Sequence, residues 1–157
     1  MGIKAQGIDQ VSMLLREYMK VVYEEITRAL SYLGEQCVEK ARDRAPEDSW
    51  FDQTGALRSS VGYAIYELGR KKIMSDFPIV KDGSEGSEEG KKMLNDLASL
   101  YRDTFALVVV AAMSYAEYVE ALESKDVLAS TELWAISKVD EYMAKAKSRV
   151  ESRVSRM

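Results

Sequence analysis

The chain has 157 residues, 46% of them hydrophobic and 31% charged, which is the composition of an ordinary globular protein that can bury a core as one domain, residues 1–157. Its net charge of -4 argues against a protein that grips phosphate backbones, because that task needs clustered Lys and Arg. Histidine is absent, which removes the side chain best suited to acid-base catalysis near neutral pH and most zinc-site interpretations. We therefore expect no sequence-specific nucleic-acid partner and no metal.

The first element is a long amphipathic pattern that predicts a helix from about Asp9 to Arg44. Asp9 can cap its start, and Pro46 ends it because proline disfavours helical geometry in the residue before it. A straight helix of this length would reach roughly 50 Å, so we expect a bend near Gly34 or a large partner along the helix. Cys37 lies on the apolar stripe and is interpreted as a core residue rather than a nucleophile. The stripe comprises Val11, Leu14, Leu15, Tyr18, Val21, Val22, Ile26, Ala29, Leu30, Leu33, Cys37, Val38 and Ala41.

The next stretch, RAPEDSWFDQTGALRSSV at residues 44–61, predicts a joint between that helix and a strand rather than an active-site loop. A threonine hydroxyl can cap a turn here, and the glycine after it can adopt backbone angles that other residues avoid. The leucine is expected to point inward, and the arginine beside it offers a planar fork to a carboxylate or to carbonyl groups. The candidate joint or subunit-interface residues are Trp50, Phe51, Thr54, Gly55, Leu57 and Arg58.

Two apolar runs predict strands, VGYAIYEL at residues 61–68 and FALVVVAA at residues 105–112. The second run has no polar residue, so we expect it to be covered on both faces, and we expect the two strands to pair antiparallel. The block between them, residues 69–103, is interpreted as an insertion. Within it, KDGSEGSEEGKK at residues 81–92 predicts a mobile loop or linker, and helical spacing predicts a helix over residues 88–103.

No group of residues in the sequence has a spacing that predicts catalysis or a cofactor. The glycine-rich part of the insertion lacks both the first glycine and the final Ser or Thr of a phosphate loop, and it lacks calcium-loop spacing. Adjacent carboxylates, such as Glu24 with Glu25 and Glu88 with Glu89, are interpreted as solvated helix faces rather than catalytic pairs. No segment has signal-peptide character or approaches a membrane span, so we expect a soluble protein with no membrane partner.

The C-terminal third predicts a short helix at residues 114–122, a brief strand at residues 127–129 and a final helix from Thr131 to about Val154. The short helix carries Tyr115, Tyr118 and Glu120, whose aromatic face is suited equally to packing on the sheet and to a subunit interface. The apolar face of the final helix comprises Leu133, Ile136, Val139, Tyr142, Met143, Ala146 and Val150.

Taken in order, these pieces resemble the tail-component family of long-tailed bacteriophages and prophages, the tail-completion or neck proteins of the head-tail junction. The resemblance rests on a long first helix ending at Ala45-Pro46, the box Thr54-Gly55-Ala56-Leu57-Arg58-Ser59-Ser60-Val61, two later strands, and the box Tyr115-Ala116-Glu117-Tyr118-Val119-Glu120 before a C-terminal helix. It covers most of the chain except residues 69–103.

The resemblance implies an α+β fold with long terminal helices packed on a small curved antiparallel sheet. It also implies a non-enzymatic virion protein, made in the bacterial cytoplasm, that forms a homo-oligomeric ring between the connector and the tail-tube proteins. The two boxes would be structural or subunit-contacting positions. Two alternatives stay open: a small helical adaptor that binds a host cytoplasmic protein through its N-terminal helix, and an enzyme that uses carboxylates and a divalent metal.

Overall fold

A computed structural model describes residues 6–43, 52–116 and 127–157. Two long helices and a shorter one surround a three-stranded antiparallel sheet with the order β2-β1-β3, so the fold is α+β as predicted. The elements are α1 Gln6–Arg42, α2 Ala56–Ser59, β1 Val61–Glu67, β2 Arg70–Met74, α3 Ser84–Leu97 with a following 3-10 turn Ala98–Leu100, β3 Phe105–Ala111, and α4 Ala129–Val154.

The central strand β1 is buried on both faces because helices cover the sheet on both sides. On one side, the ring of Tyr63 packs against Gly34 of α1, where an added Cβ would lie 2.5 Å from the Tyr63 Cδ2 atom. On the other side, Tyr66 clusters with Phe77 and with Leu94 of α3, and its hydroxyl donates to the carbonyl of Leu94. The helix α1 is continuous at Gly34, so this glycine serves close packing rather than a break.

Helix α4 lies antiparallel on α1, and the polar pairs between them fix their register. Tyr142 donates from its hydroxyl to Gln36 Oε1 at 2.6 Å, and the ammonium of Lys40 lies 4.9 Å from the ring centre of Trp134. At the other end of α4, Arg153 reaches back to α1 near residue 25. The last turns of α4 therefore meet the middle of α1 rather than its N-terminus.

The pairing of β1 with β3 is antiparallel as predicted, with Val61 opposite Ala111 and Glu67 opposite Phe105. The prediction that the second apolar run is covered on both faces holds only in part. Helices α1 and α3 contact β3 from opposite sides of the sheet, but only Val110 in it is buried and its other residues are partly exposed. An unpredicted third strand, β2, pairs with the other side of β1. A two-residue turn with positive φ at Leu68 and Gly69 connects them, as in a type I′ hairpin.

Three further sequence predictions need correction. The linker predicted at residues 81–92 is helical from Ser84 onward, and the helix ends at Leu97 rather than at 103. The strand predicted at residues 127–129 is absent, because a bend there leads directly into α4. Helix α1 begins at Gln6, which places Asp9 in its first turn rather than at its cap.

The interpretation of Glu25 as part of a solvated face is also wrong. Its side chain is 2% exposed and accepts hydrogen bonds from Arg149 at 2.7 Å and from Arg153 at 2.9 Å. Burial alone would raise the pKa of Glu25, but the hydrogen bonds from Arg153 and Arg149 outweigh it and lower the pKa below its ordinary value. The basic residues at the end of α4 thus clamp it to α1.

Candidate assembly surfaces

The predicted joint is built around a carboxylate that the sequence analysis did not single out. Asp52 is buried and accepts two backbone hydrogen bonds, from Gly55 N at 3.0 Å and from Arg58 N at 2.8 Å. The hydroxyl of Thr54 accepts a third, from Ala56 N at 3.2 Å. These acceptors satisfy N–H groups at the start of the short helix α2, whose N-cap residue is a glycine and makes no side-chain cap hydrogen bond. The spacing of an aspartate three residues before a glycine is the signal that could have identified it.

Gly55 is required at this turn for two independent reasons. Its φ is 80°, in the left-handed region, and an added Cβ would lie 1.9 Å from the carbonyl oxygen of Val80. Two residues later, Leu57 is 1% exposed and packs with Ala116 and Val127. The turn and the inward leucine therefore lie where the sequence predicts.

Arg58 ties the joint to the end of α1. Its Nη1 atom donates to the carbonyl oxygen of Arg42, while Arg42 Nη2 donates to the carbonyl of Pro78 at 2.8 Å. The partner of Arg58 is thus a backbone carbonyl at a helix C-terminus, where a cation also complements the helix dipole. Both contacts lie within the chain.

The glycines of α3 lie against this joint, which explains why a linker-like composition forms a packed helix. An added Cβ on Gly86 would lie 1.8 Å from the carbonyl oxygen of Ala56, and one on Gly90 would lie 2.3 Å from the ring of Phe77. Between them, Ser87 Oγ donates to the carbonyl of Phe77 at 2.9 Å. The absence of side chains lets the helix backbone approach α2 and β1 closely.

Tyr115 lies beside the same joint and is 37% exposed. Burial raises the pKa of its phenol, and the nearby carboxylates of Asp52 and Glu85 raise it further. The structure therefore brings Tyr115 together with the Asp52–Arg58 turn. The other predicted site residues, Trp50, Phe51, Tyr118 and Glu120, lie outside the described residues.

An extended exposed apolar surface among the described residues is the N-terminal overhang, which we define as residues 7–20 of α1. Every residue of the overhang is exposed. The clamp at Glu25 aligns the end of α4 with the middle of α1, so this part of the helix extends past its partner by about 21 Å. The sequence predicts an apolar stripe here. Such a stripe does not indicate whether the surface that packs against it belongs to the same chain or to another. Its exposed apolar side chains are Ile8, Val11, Met13, Leu14, Leu15, Tyr18 and Met19.

A second exposed apolar surface, the α4 patch, comprises Leu133, Ile136 and Val139 near the start of α4. It borders a groove of about 530 Å³ between α4, α1 and the edge strand β3, whose walls include Leu30 and Leu107. The predicted apolar face of the final helix is therefore divided, because its second half packs on α1 and its first half faces solvent. The buried members are in the second half, at Ala146 and Val150.

Chemistry-bearing groups in the described residues are few. Cys37 is buried at 1% exposure, and burial raises its thiol pKa to about 11, which makes it an unreactive core residue. Residues 6–43, 52–116 and 127–157 hold no cluster of three or more potential metal ligands. In the same ranges no helix combines the length and apolar character that crossing a bilayer requires. Comparison with protein-family models, with curated proteins and with solved structures finds no match to the chain.

Proposed function

We propose that this chain is a non-enzymatic structural protein of the phage or prophage head-tail junction that acts by assembling with copies of itself into a ring between connector and tail tube. The order of the two sequence boxes supports the phage assignment. The assembly part of the proposal rests on the bare N-terminal overhang.

The overhang supports assembly because its exposed apolar surface is as large as the largest apolar patches of monomers, and such patches often mark interaction sites. Six of its apolar residues, each roughly half exposed, present on the order of 600 Å² together, at the upper end of what monomers expose. They are Ile8, Val11, Leu14, Leu15, Tyr18 and Met19. Isolated helices of this length are marginal in water, so a packing partner would also stabilise the overhang itself.

The overhang also supports a second candidate function, the small adaptor that binds a host cytoplasmic protein through its N-terminal helix. An amphipathic helix that lays its apolar side chains into a groove is a common mode of recognition. The two functions differ in whether the purified chain associates with itself. Self-association favours the junction protein, and a monomer that captures one stoichiometric host protein favours the adaptor.

The test of the proposed function is the mass and shape of the purified full chain. Light scattering coupled to size-exclusion chromatography should give a mass several times that of the 17.7 kDa chain, and electron microscopy should show closed rings. Addition of phage connector or tail-tube protein should then give a co-eluting complex. A strict monomer that binds neither protein contradicts the proposal.

A further inference from the structure

We infer that the occupant of the overhang is the α4 patch of a second copy, so that subunits associate head to tail through two different surfaces. This inference rests on the proposed function and names the contact by which the ring would form. The two surfaces are the overhang, residues 7–20, and the α4 patch with its groove at β3.

The position of the two surfaces favours a head-to-tail contact over a two-fold contact. The contact of Lys40 with Trp134 places the α4 patch level with the C-terminal end of α1, whereas the overhang is at the N-terminal end. At 1.5 Å per residue the two lie about 35 Å apart along the helix. A chain that carries two different apolar surfaces at opposite ends can bind a neighbour at each, and such contacts give closed rings or open filaments.

The size of the overhang and the shape of the α4 patch agree with a specific contact. The overhang offers on the order of 600 Å², close to the roughly 800 Å² that each partner contributes to a standard interface. The α4 patch continues into the groove beside Leu30, Tyr101 and Leu107, which gives a concave surface for the protruding leucines of the helix. The methionines of the overhang add flexible side chains that can adapt to such a groove.

The charges on the two surfaces are complementary. By helical geometry, Arg16 and Lys20 stand one turn apart along one border of the apolar face of the overhang. On α4, Glu132 and Asp140 are exposed one turn before and one turn after Ile136. A basic pair on one surface and an acidic pair on the other favour the encounter of unlike surfaces over that of like ones.

The same charges argue against a membrane as the occupant. The overhang carries Asp9 and Glu17 as well as Arg16 and Lys20, so its net charge is zero. Helices that lie in a membrane interface are typically rich in Lys and Arg on their polar face, since anionic lipids attract them. The overhang therefore lacks the net positive charge that would attract it to an anionic membrane surface.

The test uses two doubly substituted full-length chains and a matched control. The overhang variant is Leu14→Ser/Leu15→Ser, and the patch variant is Leu133→Ser/Ile136→Ser. The control, Ile79→Ser/Leu100→Ser, removes two equally exposed apolar residues that belong to neither surface. Circular dichroism and thermal unfolding verify that each variant is folded, and light scattering gives its mass.

Each variant alone should self-associate on the order of 100-fold more weakly than the wild type and elute as a monomer, whereas the control should assemble normally. An equimolar mixture of the two variants should form a dimer and nothing larger, because only one intact pair of surfaces remains. A patch variant that assembles like the wild type overturns the inference and leaves ring assembly standing. A mixture that stays monomeric also overturns it, and a monomeric wild type overturns both this inference and the proposed function.

Discussion

From Val21 to Ala41 the apolar stripe of α1 is buried beneath β1 and α4, whereas from Ile8 to Met19 an apolar stripe of the same helix lies in solvent. The packed half is held by close contacts that leave no room for additional atoms, as where Gly34 meets Tyr63. The bare half has the composition of a core-facing helix but no core within the described residues. An amphipathic pattern thus indicates that the apolar face of a helix packs against another surface. That surface can belong to another chain.

The sharpest test of this difference compares two leucines of α1. Leu33→Ala should lower the free energy of unfolding by about 2–5 kcal/mol, because Leu33 is 1% exposed and its removal leaves a cavity. Leu14→Ala should change it by no more than about 0.5 kcal/mol, because Leu14 is 62% exposed. Urea unfolding followed by circular dichroism, at concentrations where the chain is monomeric, measures both. Equal losses would mean that the overhang is packed within its own chain.

Glycines give a second comparison between packed and bare surfaces. Gly86→Ala should cost about 1–3 kcal/mol, because the added Cβ would lie 1.8 Å from the backbone oxygen of Ala56 and α3 would have to move. Gly7→Ala should be neutral or slightly stabilising, because no described residue outside its own helical turn lies within 4 Å of its Cβ position and alanine favours helix. Thermal unfolding of the two variants provides the measurement. A tolerated alanine at residue 86 would contradict the close packing of α3 on the joint.

The clamp at the boundary of the two halves predicts a pH dependence. Glu25→Gln should lower stability by about 1–2 kcal/mol near neutral pH, because the arginines lose a charged acceptor but stay partly hydrated. Since the pKa of Glu25 is lowered on folding, its stabilisation is complete above the ordinary value of 4.5 and is lost as pH falls through the lower folded value.

The control for this prediction is Glu24→Gln, whose carboxylate is 45% exposed and should matter by less than about 1 kcal/mol. The free energy of unfolding of both variants and of the wild type, measured across the acid range, distinguishes the effect of Glu25 from that of Glu24. The difference between wild type and Glu25→Gln should shrink below pH of about 4. A difference that persists unchanged into strong acid would argue against the clamp.

The smallest expected effect concerns the charges that border the bare half. Arg16→Glu/Lys20→Glu should weaken self-association roughly 10-fold at low salt, and Glu132→Lys/Asp140→Lys in the same chain should restore it. The effect should fade at about 0.5 M salt because exposed charges are screened. Lys91→Glu/Lys92→Glu on the exposed side of α3 is the matched control and should leave association unchanged. If the second pair of substitutions does not restore association, the overhang and the α4 patch do not contact each other in the assembly.

Much of the fold was predictable because the strongest periodic patterns are local. Helix α1, the pairing of β1 with β3, and the start of α4 within two residues of Thr131 all agree with the sequence. Strand β2 was missed because Arg70, Lys71 and Lys72 give it a polar sequence, which is how exposed edge strands avoid aggregation. The prediction of a linker over the first part of α3 is wrong because glycine has two uses, flexibility and close approach, that composition does not distinguish.

The candidate site was predictable only in part. The joint at Thr54–Arg58, including the aspartate three residues before Gly55, follows from local turn chemistry. The clamp at Glu25 depends on arginines that lie 124 and 128 residues away in the chain. The exposure of Leu133 and Ile136 depends on which face of α4 packs on α1, which no local pattern encodes. The sequence therefore indicates which residues are apolar, and the three-dimensional arrangement shows which of them are exposed to solvent.

The central claim is that the overhang of one copy lies on the α4 patch of another, and a disulfide cross-link between two differently marked chains tests it most directly. Both chains carry Cys37→Ala, one also carries Leu15→Cys, and the other carries Ile136→Cys. Mild oxidation of the mixture should give a covalent dimer that contains one chain of each kind, while either chain alone should remain monomeric on a denaturing gel. If the Leu15→Cys chain instead cross-links to itself and not to the Ile136→Cys chain, the head-to-tail account is contradicted.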